Sequence, residues 1–305
     1  MILAAIDIGS NAARLLIVET SVYDDGTVDY TKLNLLRIPL RLGLDVFSTG
    51  RISPEREALL LGTMKVYKNL IDLYKVEAVK AAATSAMRDA ANGPELMDKV
   101  RAETGIDLRI ISGQEEASIL YETHIAEALS TRRSYLYIDV GGGSTEVTLF
   151  SRNEMVAKES FNIGTIRLLQ GGVHKDQWDA MKRFLKKNIK GYQPVKAIGT
   201  GGNINKIFSV SKRKEGRPLQ LTFLKNYYRQ LSEQSVRERS HLYGFRKDRA
   251  DVIVPAMEIY LAVMKWIDAD EIYVPKIGLA DGLIKILYTE QLQSLRETGR
   301  RPATR

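Results

Sequence analysis

Three glycine-bearing turns and a handful of carboxylates carry the residue types from which a phosphate site is made. Asp7-Ile8-Gly9-Ser10-Asn11 closes an apolar run at the start of the chain. Gly9 lets the backbone turn tightly between two strands without a Cβ clash. Ser10 and Asn11 offer backbone N–H groups and side-chain donors to an oxyanion, and Asp7, at a strand end, can hold Mg²⁺ directly or through water, since hard oxygen ligands suit that ion. Taken alone, such a turn reads as a plain hairpin. The second turn, Asp139-Val140-Gly141-Gly142-Gly143-Ser144-Thr145-Glu146, shifts the balance. Three consecutive glycines each cost conformational entropy that a hairpin does not require. Close approach of a ligand to bare backbone explains them, with successive N–H groups forming an anion nest. A third cluster, Gly199-Thr200-Gly201-Gly202-Asn203, follows a strand and precedes a helix, where the positive end of the helix dipole points. It is neither a Walker A loop nor the full dinucleotide fingerprint. As a third loop in the same architecture it closes on phosphate or nucleoside.

Ser112-Gly113-Gln114-Glu115-Glu116 stands at a strand-to-helix junction, where Ser112 and Glu115 fit a capping box. Glu116 is not needed for the cap and projects about 100° around the helix from Glu115. It is either a first-turn acid favoured by the dipole or a group aimed at a ligand. Glu146 sits just past the triple-glycine loop. An acid beside an anion site is unfavourable unless it binds a cation, positions water or takes a proton. Ser144 either hydrogen-bonds phosphate or stabilises its turn. Arg88 lies near a helix start, where the dipole disfavours a cation; a bound phosphate or an ion pair with Asp89 accounts for it equally well. His124, His174 and His241 are not at metal spacing, and the nucleophile elbow of a serine hydrolase is absent.

The elements that must position these groups follow an order that repeats. Strands over Ile2–Ile8, Ala13–Glu19 and Val28–Leu42 precede a helix opened by Ser53-Pro54. A strand at Val76–Ala82, a helix at Ala86–Thr104, a strand at Leu108–Ile111 and a helix at Glu115–Leu129 follow. The order restarts with strands at Tyr135–Val140, Glu146–Phe150 and Met155–Phe161, a helix at Asp176–Ile189 and a strand at Val195–Ile198. Helices at Leu224–Arg239 and Asp251–Trp266, a strand at Glu271–Val274 and a helix at Asp281–Gln291 complete it. The two Asp-x-Gly turns lie 132 residues apart, each closing the first strand of its half. A duplicated α/β protein is expected, with domains at 1–126 and 127–305, a boundary near Ala126–Arg133 and the ligand in a cleft between them. The last helix is free to pack back on the first domain, and the tail after about 296 is expected to be flexible.

The 305 residues suit two domains, and 44% hydrophobic with 27% charged residues is ordinary for a globular chain. The chain has no cysteine, which excludes disulfides and thiolate metal sites and fits a reducing cytoplasm. No apolar run reaches the roughly 18 residues that span a bilayer, and MILAAIDIG reads as a core strand and not as a signal peptide. The net charge of +8 gathers in clusters such as Lys182, Arg183, Lys186, Lys187 and Lys190. Each is either a solvated helix face or part of a surface that collects polyanions. No nucleic-acid reading motif accompanies them.

Together the segments AAIDIGSNAARLLI, AATSAMRDAAN, IISGQEEASILY, YIDVGGGSTEVTLF, NIGTIRL, AIGTGGNINKI, RADVIVPAMEIY and GLADGLI resemble the exopolyphosphatase/guanosine pentaphosphate phosphohydrolase (Ppx/GppA) family over nearly the whole chain, in a short two-domain form. The pair ISGxEEA and DVGGGSTE is its most specific part. The resemblance implies a duplicated actin-like (ribonuclease H-like) fold and a cytoplasmic hydrolase. Its substrate is polyphosphate or guanosine pentaphosphate, its cofactor Mg²⁺ or a similar ion, and its assembly a homodimer, with no specific nucleic acid and no membrane. It implies Glu116 as the carboxylate that activates water and Glu146 as its partner. Arg88 becomes a phosphate contact, Asp139 a Mg²⁺-associated acid and Gly141 to Ser144 a phosphate loop; Asp7, Ser10 and Asn11 match the first loop. Ala256 stands where the family commonly has glycine. An actin-like kinase lacks a recognisable acceptor pocket here, and a non-catalytic binder would not need both glutamates.

Overall fold

The run Ile2–Ile8 shows no alternation because both of its faces are covered. Ala4, Ile6 and Ile8 enter one buried cluster, and Leu3 and Ala5 enter another. In the computed structural model, which describes residues 1–23, 25–124, 133–152, 154–275 and 277–297, the chain forms two compact units. The first comprises Met1–His124 with Leu279–Arg305, and the second Ile125–Gly278. All but the last residue of the expected boundary at Ala126–Arg133, and the end of the tail, fall outside the described residues.

The first unit holds β1 (Ile2–Ile8), β2 (Ala13–Val22), β3 (Val28–Ile38), α1 (Leu42–Thr49), α2 (Pro54–Leu73), β4 (Ala78–Ala83), α3 (Ser85–Asp89), α4 (Gly93–Thr104), β5 (Leu108–Ile110) and α5 (Gly113–His124). Its sheet runs β3-β2-β1-β4-β5, with the first three strands antiparallel and β4 and β5 parallel to β1. The second unit holds β6 (Ser134–Val140), β7 (Thr145–Ser151), β8 (Glu154–Phe161), α6 (Thr165–Leu169), α7 (Lys175–Asn188), β9 (Val195–Thr200), α8 (Gly202–Val210), β10 (Leu219–Gln220), α9 (Leu221–Ser232), α10 (Val236–Tyr243), α11 (Lys247–Ala250), α12 (Ile253–Ile267) and β11 (Glu271–Tyr273). Its sheet runs β8-β7-β6-β9-β11-β10, and only the antiparallel edge strand β10 departs from the first pattern. This strand order, made twice, is that of the actin-like fold.

The final helix, α13 (Leu279–Glu297), belongs to the first unit. Its Leu279, Leu283, Ile284 and Leu287 pack with Leu3, Ala5, Leu16 and Val18 of that sheet. A Cβ on Gly282 would lie 2.5 Å from Ile119 Cγ2 and 2.7 Å from Ile119 O, so glycine lets α13 lie against α5.

Local chemistry explains where elements differ from their expected bounds. The strand expected to reach Leu42 stops at Ile38, because Arg41 takes a left-handed backbone (φ 55°) and starts α1. The helix expected over Ala86–Thr104 is two helices, with Pro94 opening the second. The helix expected over Leu224–Arg239 breaks at Ser235, whose Oγ accepts from Glu238 N (3.2 Å) while its own N–H reaches Glu238 Oε2 (2.7 Å). Among the described residues, no helix is long and apolar enough to cross a membrane.

Candidate active site

In the first unit, the loop after β1 is closed by Gly9 N–H donating to Ala12 O at 3.0 Å. Gly9 itself is not forced by this turn: its φ is not left-handed, and a Cβ there would meet only Ala12 O at an ordinary 3.5 Å. The Ser10 and Asn11 carbonyls accept from Gly43 N (2.9 Å) and Arg41 N (3.0 Å), which ties the loop to the start of α1. Buried Ser10 Oγ lies 2.8 Å from Ser85 Oγ on α3. Register places Asp7 opposite Arg14, and Arg14 Nη1 donates to Asp7 Oδ2 at 2.5 Å. Asp7 is 3% exposed, so its charge is met by an arginine that sequence reasoning did not single out.

Arg88 sits on α3 and donates from Nη1 to Ile111 O (3.1 Å), with Nε 3.7 Å from Asp89. The ion pair with Asp89 considered for it from sequence is therefore formed only at long range, beside a carbonyl contact. In the first turn of α5 the two glutamates diverge. Ser112 Oγ caps Glu115 N at 3.0 Å, but the Glu115 carboxylate turns outward to Arg109 (3.4 Å), so the capping box is half formed. Glu116 N–H donates to Ser112 O (2.9 Å), and Glu116 is buried.

In the second unit the triple-glycine loop is braced from one side. Gly141 N–H donates to Ser144 O (2.9 Å). The Gly141 carbonyl accepts from Thr165 N (3.0 Å), that of Gly142 from Ile166 N (2.8 Å), and that of Gly143 from Arg167 Nε (2.7 Å). Thr145 Oγ1 donates to Ile163 O (2.5 Å). In a planar trans peptide the N–H points opposite to the preceding C=O. Engaging all three carbonyls at α6 therefore turns the N–H groups of Gly142, Gly143 and Ser144 the other way, as an anion nest requires. Gly164 makes this possible, since a Cβ there would collide with the backbone of Gly142 and Gly143. The NIGTIRL segment is thus the loop's brace.

Two carboxylates stand beside this loop. Asp139 and Glu146 are direct partners across β6 and β7, so their side chains share one face. Glu146 is 3% exposed and accepts from Ser160 Oγ at 2.8 Å; half-buried Asp139 accepts from Thr200 Oγ1 at 2.8 Å. Like charges directly opposite one another oppose strand pairing. A divalent cation or a shared proton relieves them, and hard carboxylate oxygens suit Mg²⁺.

The third loop joins the same group. Gly201 has φ 104°, and a Cβ on it would lie 3.0 Å from Asp139 Oδ1 and 3.1 Å from Val140 O, so glycine is required. Arg249 Nη1 donates to Gly202 O and to Asn203 Oδ1 (3.2 Å) at the start of α8. Tyr260 OH donates to Thr200 O; burial, then the charge of Asp139, pushes its phenol well above the usual tyrosine range and keeps the donor protonated. Gly199 stands apart from this set. Inside β9, its missing side chain makes room for Ile272 and Ile204, at 2.8 Å and 3.1 Å from where a Cβ would sit. Its role here is packing.

An α/β protein with a duplicated actin-like fold and glycine loops set beside carboxylates is a phosphate-handling architecture. The chain belongs to the Ppx/GppA phosphatase family, whose model matches residues 22–290. It is 34% identical over 178 residues to exopolyphosphatase 2 of Mycobacterium tuberculosis, covering 57% of this chain and 55% of that protein. It is 25% identical over 323 residues to a guanosine-5'-triphosphate,3'-diphosphate pyrophosphatase of Vibrio cholerae, covering 99% of this chain and 61% of that one. The chain spans little more than half the length of these two relatives. The crystal structure of an exopolyphosphatase from Cytophaga hutchinsonii superposes with a TM-score of 0.79 at 26% identity, covering 99% of each chain.

Proposed function

We propose that this chain is a cytoplasmic, Mg²⁺-assisted hydrolase that removes the terminal phosphoryl group of inorganic polyphosphate or guanosine pentaphosphate. The observation that carries this reading is the acid pair Asp139–Glu146 beside a glycine loop whose carbonyls are all engaged on one side. Such a loop suits phosphate oxygens, and such a pair suits the cation that accompanies them. The names borne by the relatives support the substrate class.

Phosphoryl transfer is mostly positioning and charge stabilisation. In the second unit the amides of Gly142, Gly143 and Ser144 and of the Gly201–Gly202 turn hold the oxygens; in the first, the family resemblance gives phosphate contact to Ser10, Asn11 and Arg88. Glu116 orients the attacking water and accepts its proton as the new O–P bond forms; the bridging oxygen that stays on the shortened chain or nucleotide takes the electrons of the broken P–O bond. Asp139 and Glu146 would hold Mg²⁺, and Ser160 and Thr200 fix the two carboxylates for that task. Bound there, the ion neutralises charge on the phosphate oxygens. Asp7, whose charge Arg14 already balances, shapes the first loop.

The test is phosphate release with Mg²⁺ from long polyphosphate, short polyphosphate and guanosine pentaphosphate, for wild type and Glu116→Ala. We expect release from at least one of them, falling about 10²–10⁴-fold in kcat for the variant with little change in binding. Wild type that binds all three and releases nothing would overturn the assignment.

A further inference from the structure

Several surface cations of the first unit are matched to acids. Lys65 reaches Glu103 (2.7 Å), Lys68 reaches Asp72 (2.5 Å), and Lys99 is shared by Glu57 (2.6 Å) and Glu95 (2.8 Å). Helix α7 in the second unit is built otherwise. Met181 and Leu185, then Ile189 just beyond its end, are buried, while Phe184 and Trp178 turn inward, edge-on to Phe161 and Trp266. Its opposite face carries Lys182, Arg183, Lys186 and Lys187, with Lys190 just past its end, all exposed. No acid occurs from Ala180 to Lys190. The acid that precedes them, Asp179, is bound by Lys175 at 2.8 Å; that hydrogen bond, with Lys175, Arg183 and Lys182 adding their charges, holds its carboxyl below the usual range.

Cations in a last helical turn suit the macrodipole, which accounts for Lys186 and Lys187. It does not account for Lys182 and Arg183 in mid-helix. The like-charge pairs Lys182–Lys186 and Arg183–Lys187, each four residues apart, oppose the helix that carries them. The array is electrostatically incomplete until an anion lies along it.

We propose that this face of α7 is a docking rail for a flexible linear polyanion of the inorganic polyphosphate class. The inference rests on the proposed hydrolase activity and adds a capture surface outside the glycine loops. At 1.5 Å per residue the helical part of the rail runs about 8 Å from Lys182 to Lys187, so it engages a chain of several phosphates and not a terminal group alone. Single-stranded nucleic acids are held by basic grooves combined with aromatic stacking platforms. No aromatic side chain shares this stripe, which favours phosphate without bases.

The test compares wild type, a neutral variant (Lys182→Gln, Arg183→Gln, Lys186→Gln, Lys187→Gln) and a charge-preserving variant (Lys182→Arg, Lys186→Arg, Lys187→Arg). Binding of end-labelled long-chain polyphosphate is measured without Mg²⁺ across a salt series, with single-stranded DNA as competitor. Turnover of tripolyphosphate is measured with Mg²⁺. We expect the neutral variant to lose about tenfold or more in long-chain affinity at low salt, and the slope of log affinity against log salt to shrink by about 0.7 per cation removed. The charge-preserving variant binds as wild type does, tripolyphosphate turnover is unchanged, and the neutral helix melts no lower because its repulsions are gone. Undiminished long-chain binding by the neutral variant overturns the rail. So does DNA that competes as well as polyphosphate, which makes the face a nucleic-acid surface. Binding needs no turnover: a chain that docks on α7 but is never cleaved removes the hydrolase and leaves the rail, while undiminished long-chain binding with normal turnover does the reverse.

Discussion

The two units carry the same turn and opposite electrostatics. Asp7 and Asp139 each stand one residue before the end of the first strand of their unit, and in each the residue seven positions later is the direct cross-strand partner. In the first unit that partner is Arg14, joined to Asp7 at 2.5 Å; in the second it is Glu146, held instead by Ser160. One unit therefore closes its acid internally, and the other presents two acids side by side. The loops differ in the same sense. Gly9 is not demanded by its own backbone, whereas Gly141 to Gly143 are held by α6 through a glycine at 164 that has no substitute. A duplicated scaffold can thus diverge at a single strand pair, with an ion pair on one side and two opposed acids on the other.

The largest effect should come from removing that divergence. Glu146→Gln leaves the shape intact but ends the acid pair, and Mg²⁺-dependent phosphate release should fall about 10²–10⁴-fold. Metal-free protein should melt at least as high as wild type, because a like-charge pair has gone. Full activity in this variant would break the comparison. Gly164→Ala should cost about 1–3 kcal/mol, at the upper end because the obstacle is backbone. Gly9→Ala should stay within about 0.5 kcal/mol; equal denaturation midpoints for the two would show the loops to be alike. Arg14→Glu writes the second unit's pair into the first. It should cost about 1–3 kcal/mol, below the figure for a fully buried pair because Arg14 is partly exposed. Added Mg²⁺ should restore part of that stability; no response to the ion would show that two opposed acids alone do not make a cation site. The smallest change is Ser160→Ala, which should cost about 1 kcal/mol and raise the Mg²⁺ concentration needed for half-maximal rate more than it lowers kcat.

The strands, the three glycine loops and the duplication were legible because they rest on local pattern: apolar runs, glycine clusters and the recurrence of Asp-x-Gly. Position beside a cap and a glycine loop singled out Glu116 and Glu146, the family resemblance gave them roles, and the structure adds that both are buried while neighbouring Glu115 faces solvent. What escaped the sequence depends on partners remote along the chain. The contrast of Arg14 with Glu146 needs strand register. The necessity of Gly164 needs its approach to Gly142, and the packing duty of Gly199 needs Ile272. Arg249 and Tyr260 reach the third loop from elements some 47 and 60 residues downstream. The return of α13 to the first domain was expected, but which face of that sheet it covers needs the folded chain.

That last helix has a consequence for how the protein is made. The sheet face formed by Leu3, Ala5, Leu16 and Val18 is finished by Leu283, Ile284 and Leu287, which leave the ribosome only after the roughly 150 residues of the second unit. At synthesis rates of about 5–20 residues per second, that face waits on the order of 10–30 s without its cover. The second unit, continuous in sequence, needs no such delay. The half of the molecule begun first is therefore completed last, and during the interval its bare apolar surface is where a chaperone would bind or a neighbouring nascent chain would adhere.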